Sequence, residues 1–443
     1  MITAREAAFR ALGDWRRTKA WPDAALSALL ERSGATRREA ALASRLVGGV
    51  MQNMALCDFY AAHFSTMGLK KVEPRVLDIL RLSIYQIVFL TKIPNSAAVS
   101  EGVALAKKYA NPRAAAFVNA VLRKVADAAE NNGLPVVAGE PERVLSIEYS
   151  HPEWLVREFC EILGMENAER FLSVNNAESL PVTAQVNTLL TDTEAAASLL
   201  VSGGAEVSRH EWLDGCLELR GAGNIGQLEA FRNGSIYIQD AAARLAVSAA
   251  APKPHDFVID GCAAPGGKSF AAAIMMENKG KVAAFDVNAA KLRHITDGAA
   301  RLGIGIIDVA EKDASAPVGE LAGRADVVLA DVPCSGFGVI RKKPEIRYKA
   351  KGDIEGLNDI QQRILSVLSS YVKPGGVLLY STCTVLRREN EGVANWFLDN
   401  HSGFSTESFT LPGVGFVPGG IVTLWPQTHG TDGFFICKMR KMK

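Results

Sequence analysis

Two hydrophobic rhythms divide the chain. Up to about residue 130 the apolar positions recur at helical spacing, and Ala-rich amphipathic segments alternate with short breaks. The pattern predicts helices over 4–15, 23–32, 36–64, 73–90, 96–110 and 112–131. Val76, Leu77, Leu80, Ile84, Ile87 and Val88 mark one buried face. Asn95-Ser96 and Asn111-Pro112 read as helix starts. Together these segments predict an all-α bundle large enough to fold alone. Asn131-Asn132-Gly133-Leu134-Pro135 then breaks the pattern, and a linker leads to His151-Pro152. A helical run is expected over 153–176, followed by shorter strand-like runs at 181–190, 204–210, 216–219 and 235–239. From Asp256 the rhythm becomes βαβ. Strands are expected at 257–260, 281–286, 305–309, 326–330 and 376–381, with helices at 268–276, 289–302 and 353–372. This alternation implies a doubly wound parallel sheet. A last hairpin, 421–425 with 433–440, would add antiparallel strands at one edge. The expected organisation is therefore multidomain: an all-α bundle over 1–135, a small α+β insert over 145–235, and a C-terminal α/β, Rossmann-like domain over 236–443.

Composition changes this picture little. The 443 residues are 48% hydrophobic and 22% charged, ordinary for a globular chain. No apolar run reaches the ~18 residues of a membrane-spanning helix. The N-terminus, Met1-Ile2-Thr3-Ala4-Arg5-Glu6, lacks a secretory pattern. Seven cysteines without a Cys-x-x-Cys pair argue against a disulfide framework or zinc ribbon and for a reduced, cytoplasmic setting. The charge is uneven. Residues 1–145 hold 20 Lys+Arg against 13 Asp+Glu, a balance of +7, which leaves −6 for the rest of a chain whose net charge is +1. A basic N-terminal third on a mildly acidic body points to nucleic acid, although solvated helix faces would also produce it.

The candidate chemistry lies at the strand ends. Asp260-Gly261-Cys262-Ala263-Ala264-Pro265-Gly266-Gly267-Lys268-Ser269 forms a strand-to-helix turn whose glycines let backbone approach a ligand. It has neither P-loop spacing nor the dinucleotide G-x-G-x-x-G. Asp286, Asp313 and Asp331 come after later strands. Each alone could be a helix cap. Three successive acids beside the glycine turn suit a nucleoside carrying positive charge, and S-adenosylmethionine is such a ligand. Two apolar runs end in cysteines: Val327 to Ala330 runs into Asp331-Val332-Pro333-Cys334-Ser335-Gly336, and Gly376 to Tyr380 into Ser381-Thr382-Cys383. A thiolate that adds to C6 of a pyrimidine makes C5 nucleophilic toward a methyl sulfonium, and a second thiol can assist the subsequent elimination. Metal binding by the pair is the alternative, but no His or further Cys lies near in sequence. Cys57, Cys160, Cys216 and Cys437 read as buried small hydrophobes. Cys262 is given only a backbone role, and His151 reads as structural.

These motifs carry two resemblances. Arg81-Leu82-Ser83-Ile84-Tyr85-Gln86, Ala97-Ala98-Val99-Ser100-Glu101 and Phe117-Val118-Asn119-Ala120-Val121-Leu122-Arg123 resemble the NusB helical domain, which binds RNA in its family. The stretches at Asp260–Lys268, Asp286, Asp313 and Asp331–Gly336, with Lys373-Pro374-Gly375-Gly376, Ser381-Thr382-Cys383-Thr384 and Glu389-Asn390-Glu391, resemble the Sun/RsmB group of RNA cytosine-5 methyltransferases. The resemblance implies a class I methyltransferase fold. Cys383 would be the nucleophile toward C6, Cys334 the residue promoting release, and Asp331 the grip on the cytosine edge with Lys268 nearby. The cofactor S-adenosylmethionine would be held by Cys262, Ala263, Ala264, Pro265, Gly266, Gly267 and Lys268, with Asp286, Asp313 and Asp331. The combination of domains further implies a bacterial enzyme acting on one cytosine of naked 16S rRNA rather than the assembled subunit. No metal or membrane partner is expected, and the expected state is a monomer. Val332 replaces a common Ala, and Gln185, in Ala184-Gln185-Val186-Asn187-Thr188, replaces a family Arg. Two alternatives remain open: a tRNA cytosine-5 methyltransferase, or a non-catalytic RNA-binding assembly protein.

Overall fold

The computed structural model describes residues 2–18, 22–177 and 180–443. It divides into two compact units, one of residues 1–178 with 343–348, the other of 179–342 with 349–443. The stretch 145–235 thus contributes to both.

The first unit is all helical among its described residues. Helices Ala4–Thr18, Pro22–Ser33, Arg37–Gln52, Met54–Phe64, Pro74–Phe89, Asn95–Tyr109 and Pro112–Glu130 surround one apolar core. The run expected as one helix over 36–64 is two. Asn53 leaves helical geometry at φ −126°, ψ 21°, and its side chain bonds back to the Gly49 carbonyl at 2.9 Å. The expected helix over 153–176 likewise breaks at Gly164, whose φ of 74° is open to glycine. Pro141–Glu148 is a helix where a linker was expected. Half of the residues that carry the NusB resemblance are buried, including Leu82, Ile84, Tyr85, Val118, Val121 and Leu122. They therefore report the bundle's packing.

Residues 343–348 complete this unit. Arg347 is fully buried. Its guanidinium donates to the carbonyls of Gln52 (3.0 Å) and Tyr149 (3.1 Å) and to Asn176 Oδ1 (2.7 Å). Burial holds it down at about 10, because no carboxylate bonds to it. Tyr348 donates to Met51 O and packs on Trp15.

The second unit holds two main sheets. The smaller is antiparallel, with strands β1 (Val182–Val186), β2 (Glu206–Arg209), β3 (Cys216–Arg220) and β4 (Ile236–Ile238) in the order β2-β3-β1-β4. Helix Thr193–Ser202, which was not expected, packs Ala196 and Leu200 onto it. The larger contains β5 (Phe257–Asp260), β6 (Lys281–Asp286), β7 (Ile307–Glu311), β8 (Ala325–Asp331), β9 (Val372–Thr382), β10 (Phe404–Thr406), β13 (Ile421–Leu424) and β14 (Phe434–Lys441). Between them in sequence, β11 (Phe409–Leu411) and β12 (Gly415–Val417) pair separately. The order is β10-β14-β9-β8-β5-β6-β7, with β13 also on β14. Strands β5 to β9 run parallel, and β14 lies antiparallel against β9. β7 starts two residues later than expected.

Alternation places the two faces of this sheet in two cores. Val258, Val327, Leu329, Leu379 and Ile436 meet helices Ala241–Ala250 and Gly267–Met275. Ile259, Val328, Ala330, Leu378 and Tyr380 meet helices Leu357–Tyr371 and Glu391–Asn400. Burial on both faces is what makes parallel strands read as continuous apolar runs. β6 and β8 leave β5 on opposite sides, so the topological switch point lies at the carboxyl ends of β5 and β8.

Candidate active site

Segments leaving the carboxyl ends of β5, β8 and β9 build the site. Asp331 ends β8 and pairs in register with Ser381 of β9. Cys334 lies three residues beyond the first and Cys383 two beyond the second, so parallel pairing delivers both thiols to one edge. Their sulfurs are 3.2 Å apart. Asp331 lies within electrostatic reach of Cys334. Its Oδ1 accepts from Ser381 Oγ at 2.8 Å and its Oδ2 from Lys268 Nζ at 2.6 Å. Lys268 comes from the first turn of Gly267–Met275, and its ammonium lies 5.2 Å from the centre of the Phe434 ring. Burial works against this charge, but the Asp331 carboxylate outweighs it and raises the Lys268 pKa. Cys383 is within electrostatic reach of the same ammonium. The contact with Cys383, then burial, push the Cys334 thiol well up.

The glycine turn behaves as its composition requires. Gly266 has φ +113°, and a Cβ there would meet the Phe270 ring at 2.5 Å. A Cβ on Gly261 would meet Leu368 at 2.5 Å. Asp286, the last residue of β6, accepts from Ala264 N at 3.1 Å and from Asn288 N at 2.9 Å, tying the turn to the neighbouring strand end. Asp260 accepts from Ser269 Oγ at 2.7 Å, its other oxygen is buried without a partner, and burial pushes its carboxyl up to about 6. Asp313 is exposed in the loop beyond β7, its Oδ1 bonded to Ser315 N and Oγ. These residues fit S-adenosylmethionine by the chemistry of the set: backbone at a helix start, acids at three strand ends, and an apolar side chain, Val287, 67% exposed beside Asp286. Cys262, Ala263, Ala264, Pro265, Gly266, Gly267, Lys268, Asp286, Asp313 and Asp331 all lie along the carboxyl edge of this sheet. Val287 was not anticipated, and an exposed valine directly after a strand-end acid is the signal that marks it.

The loop after Cys334 is also built in. Gly338 N donates to the Cys383 carbonyl at 2.9 Å, and Gly433 N donates to the Gly338 carbonyl at 2.8 Å. Farther on, Arg341 bonds Asp432 at 2.8 Å and Lys342 bonds Asp432 at 2.9 Å, while Asp432 N donates to Asp240 at 3.0 Å. Burial opposes ionisation of Asp240, yet Lys342 and Arg341 hold it down at about 2. None of these partners is visible locally in sequence. A Cβ on Gly338 would lie 1.8 Å from the Gly433 oxygen. Gly338→Ala is therefore expected to cost roughly 1–3 kcal/mol of stability and to displace the Cys383 peptide. Urea unfolding alongside turnover checks this, and an unchanged midpoint with full turnover would contradict it.

Other candidates resolve as structure. His151 is buried in the helical unit, with Nδ1 2.7 Å from Tyr149 O. Asn187 is buried and donates to Gly234 O and Leu302 O, and Gln185 is buried and donates to Gln239 O. Cys57, Cys216 and Cys437 are buried as expected. Cys160 is not: it is partly exposed and its sulfur faces that of Met165 across the Gly164 break. No group of three or more metal-ligating side chains occurs among the described residues, so Cys334 and Cys383 have no companions for a metal there.

Comparison with known proteins accounts for the whole chain. Residues 247–440 match the family model for 16S rRNA methyltransferase RsmB/F, 2–127 the NusB family, and 151–226 the ferredoxin-like domain of RsmF/B-like methyltransferases. The chain is 36% identical, over 99% of both sequences, to a probable ribosomal RNA small subunit methyltransferase B of Bacillus subtilis. It is 32% identical over the full length of the corresponding Synechocystis protein. Among solved structures, that of PH0851 superposes with a TM-score of 0.82 at 28% identity, covering 99% of this chain and 98% of the other.

Proposed function

Since the chain belongs to the RsmB/F family of 16S rRNA methyltransferases, with a NusB-like bundle, an α+β insert and a class I methyltransferase fold, we propose that it methylates C5 of one cytosine in 16S rRNA through a covalent cysteine adduct. It is an S-adenosylmethionine-dependent methyltransferase. The observation that carries the finer reading is the pair of sulfurs 3.2 Å apart beside Lys268 and Asp331.

The chemistry rests on these groups. S-adenosylmethionine, when bound, supplies a methyl group on a sulfonium. The turn 262–268, with Asp286, Asp313 and Asp331, would hold it. Asp331, fixed by Lys268 and Ser381, would grip the polar edge of the base and keep C6 over Cys383. The Cys383 thiolate, facing the Lys268 ammonium, adds to C6 and makes C5 nucleophilic. After methylation the C5 proton passes to water, the C6–S bond breaks, and the electron pair returns to Cys383. In this reading Cys334 is the thiol of the pair and donates a hydrogen bond to that departing sulfur. A base must leave its stack for this, which favours naked RNA or a loop. In this reading the basic helical region 1–135 and the insert 145–235 engage RNA while 236–443 carries out the reaction.

Bisulfite sequencing of RNA from a deletion strain tests the substrate. One 5-methylcytosine of 16S rRNA is expected to disappear while tRNA sites persist. Loss confined to tRNA would replace the rRNA reading, and no loss at all would favour a non-catalytic assembly protein.

A further inference from the structure

Two adjacent residues each bracket one of the thiols. Beyond Cys383 the chain loops through Thr384–Arg388 and returns at Glu389-Asn390, just before helix Glu391–Asn400. Both side chains are turned inward, Glu389 at 1% exposure and Asn390 at 0%. Asn390 holds the residues on either side of Cys383: its Oδ1 accepts from Thr382 Oγ1 at 2.6 Å and its Nδ2 donates to Thr384 O at 3.0 Å. Glu389 does the same for Cys334. Its Oε2 accepts from Ser335 N at 2.8 Å and from Gln361 Nε2 at 2.9 Å, and that Gln361 amide also donates to Pro333 O at 3.0 Å. The brackets are joined, because Ser335 Oγ and Thr384 Oγ1 lie 2.7 Å apart. The other oxygen of Glu389 is buried with no partner.

An apolar residue or a neutral amide could fill such a volume. A buried carboxyl with one unpartnered oxygen is costly and calls for a role. We propose that Glu389 is the positioning residue that divides the labour of the two cysteines, its buried carboxylate keeping Cys334 a thiol and its bracket aiming that S–H at Cys383. This rests on the reading of Cys383 as nucleophile and Cys334 as the releasing thiol. The groups facing Cys334 are Tyr380 of β9, Cys383 just beyond that strand, Asp331 at the end of β8 and Glu389; nearby cations include Lys268, bound to Asp331, and Lys349, whose Nζ donates to Ser335 O at 2.7 Å. After contact with Cys383 and burial, the charges of Cys383, Glu389 and Asp331 add to the upward push on Cys334. In the elimination, Cys334 donates a hydrogen bond to the departing sulfur with no net proton transfer. Ionised, it would repel that sulfur instead.

The test reads the thiols directly. Full-length wild type, Glu389→Gln and Glu389→Asp are alkylated with iodoacetamide across a pH series, and modification of each cysteine is followed by peptide mass spectrometry. In Glu389→Gln the Cys334 midpoint is expected to fall by about half a pH unit or more, as loss of one near carboxylate predicts. The alkaline limit of turnover should fall with it, and covalent RNA–protein adduct should accumulate above that limit. Glu389→Asp keeps the charge and is expected to keep the wild-type midpoint. An unmoved Cys334 midpoint in Glu389→Gln overturns the proposal, and so does a midpoint lowered equally in Glu389→Asp, which would mark a packing effect. Alkylation needs no RNA. A shifted midpoint in a protein whose Cys383→Ala variant still turns over would therefore fault the assignment of the nucleophile, and with it the division of labour, while the effect of Glu389 on the Cys334 thiol would remain.

Discussion

Replacing Cys383 with Ala is expected to lower methyl transfer to 16S rRNA by roughly 10⁴-fold or more, the scale set by removing a covalent nucleophile. The reason is electronic. Without a sulfur on C6 the cytosine ring has no enamine character, and C5 cannot attack a methyl group however well it is placed. The rest of the site should survive. Cys383 comes directly after β9 and is only partly buried, and its peptide is held by Gly338 and by the residues Asn390 bonds on either side. Removing one sulfur leaves those bonds intact. Incorporation of labelled methyl groups measures the loss, and calorimetry should show S-adenosylmethionine binding unchanged. Full turnover by this variant would refute the assignment.

Cys334→Ala should fail at a different stage. Addition and methylation need the Cys383 thiolate and Lys268, both still present. Release needs the Cys334 thiol, whose sulfur lies 3.2 Å from the departing one. The variant is expected to complete about one round and then stall as a stoichiometric RNA–protein adduct, visible as a slow band on a denaturing gel. The double variant Cys334→Ala/Cys383→Ala should give no such band. Multiple turnovers without adduct would exclude the release role of Cys334, and an adduct surviving in the double variant would place the bond on another residue.

The parts of the fold that were legible are those whose burial obeys a simple period. β5 and β6 run as expected from the sequence, because short apolar runs bounded by Gly and Asp leave little freedom in a sheet covered on both faces. Helix Ala241–Ala250 escaped detection for the opposite reason. Ala241, Ala242, Leu245, Ala246, Val247, Ala249 and Ala250 are all buried, and only Arg244 and Ser248 are polar, a stripe too narrow to set a helical period. Asn53 and Gly164 each divide what reads as one helix, because the break is a matter of cap geometry and leaves the apolar repeat intact.

The site divides along the same line. Sequence by itself determined which groups stand at the strand ends: a glycine turn, acids at Asp286, Asp313 and Asp331, a lysine at 268 and two cysteines. It did so because strand, turn and helix start are local features with residue preferences of their own. Only the tertiary structure decided that Cys334 and Cys383 touch, through the register that sets Asp331 against Ser381. It alone revealed Glu389 and Asn390 as the residues bracketing the two thiols, and the upward push on the Cys334 thiol. Register, burial and the charge around a sulfur are sums over residues far apart in the chain, and no local pattern encodes them.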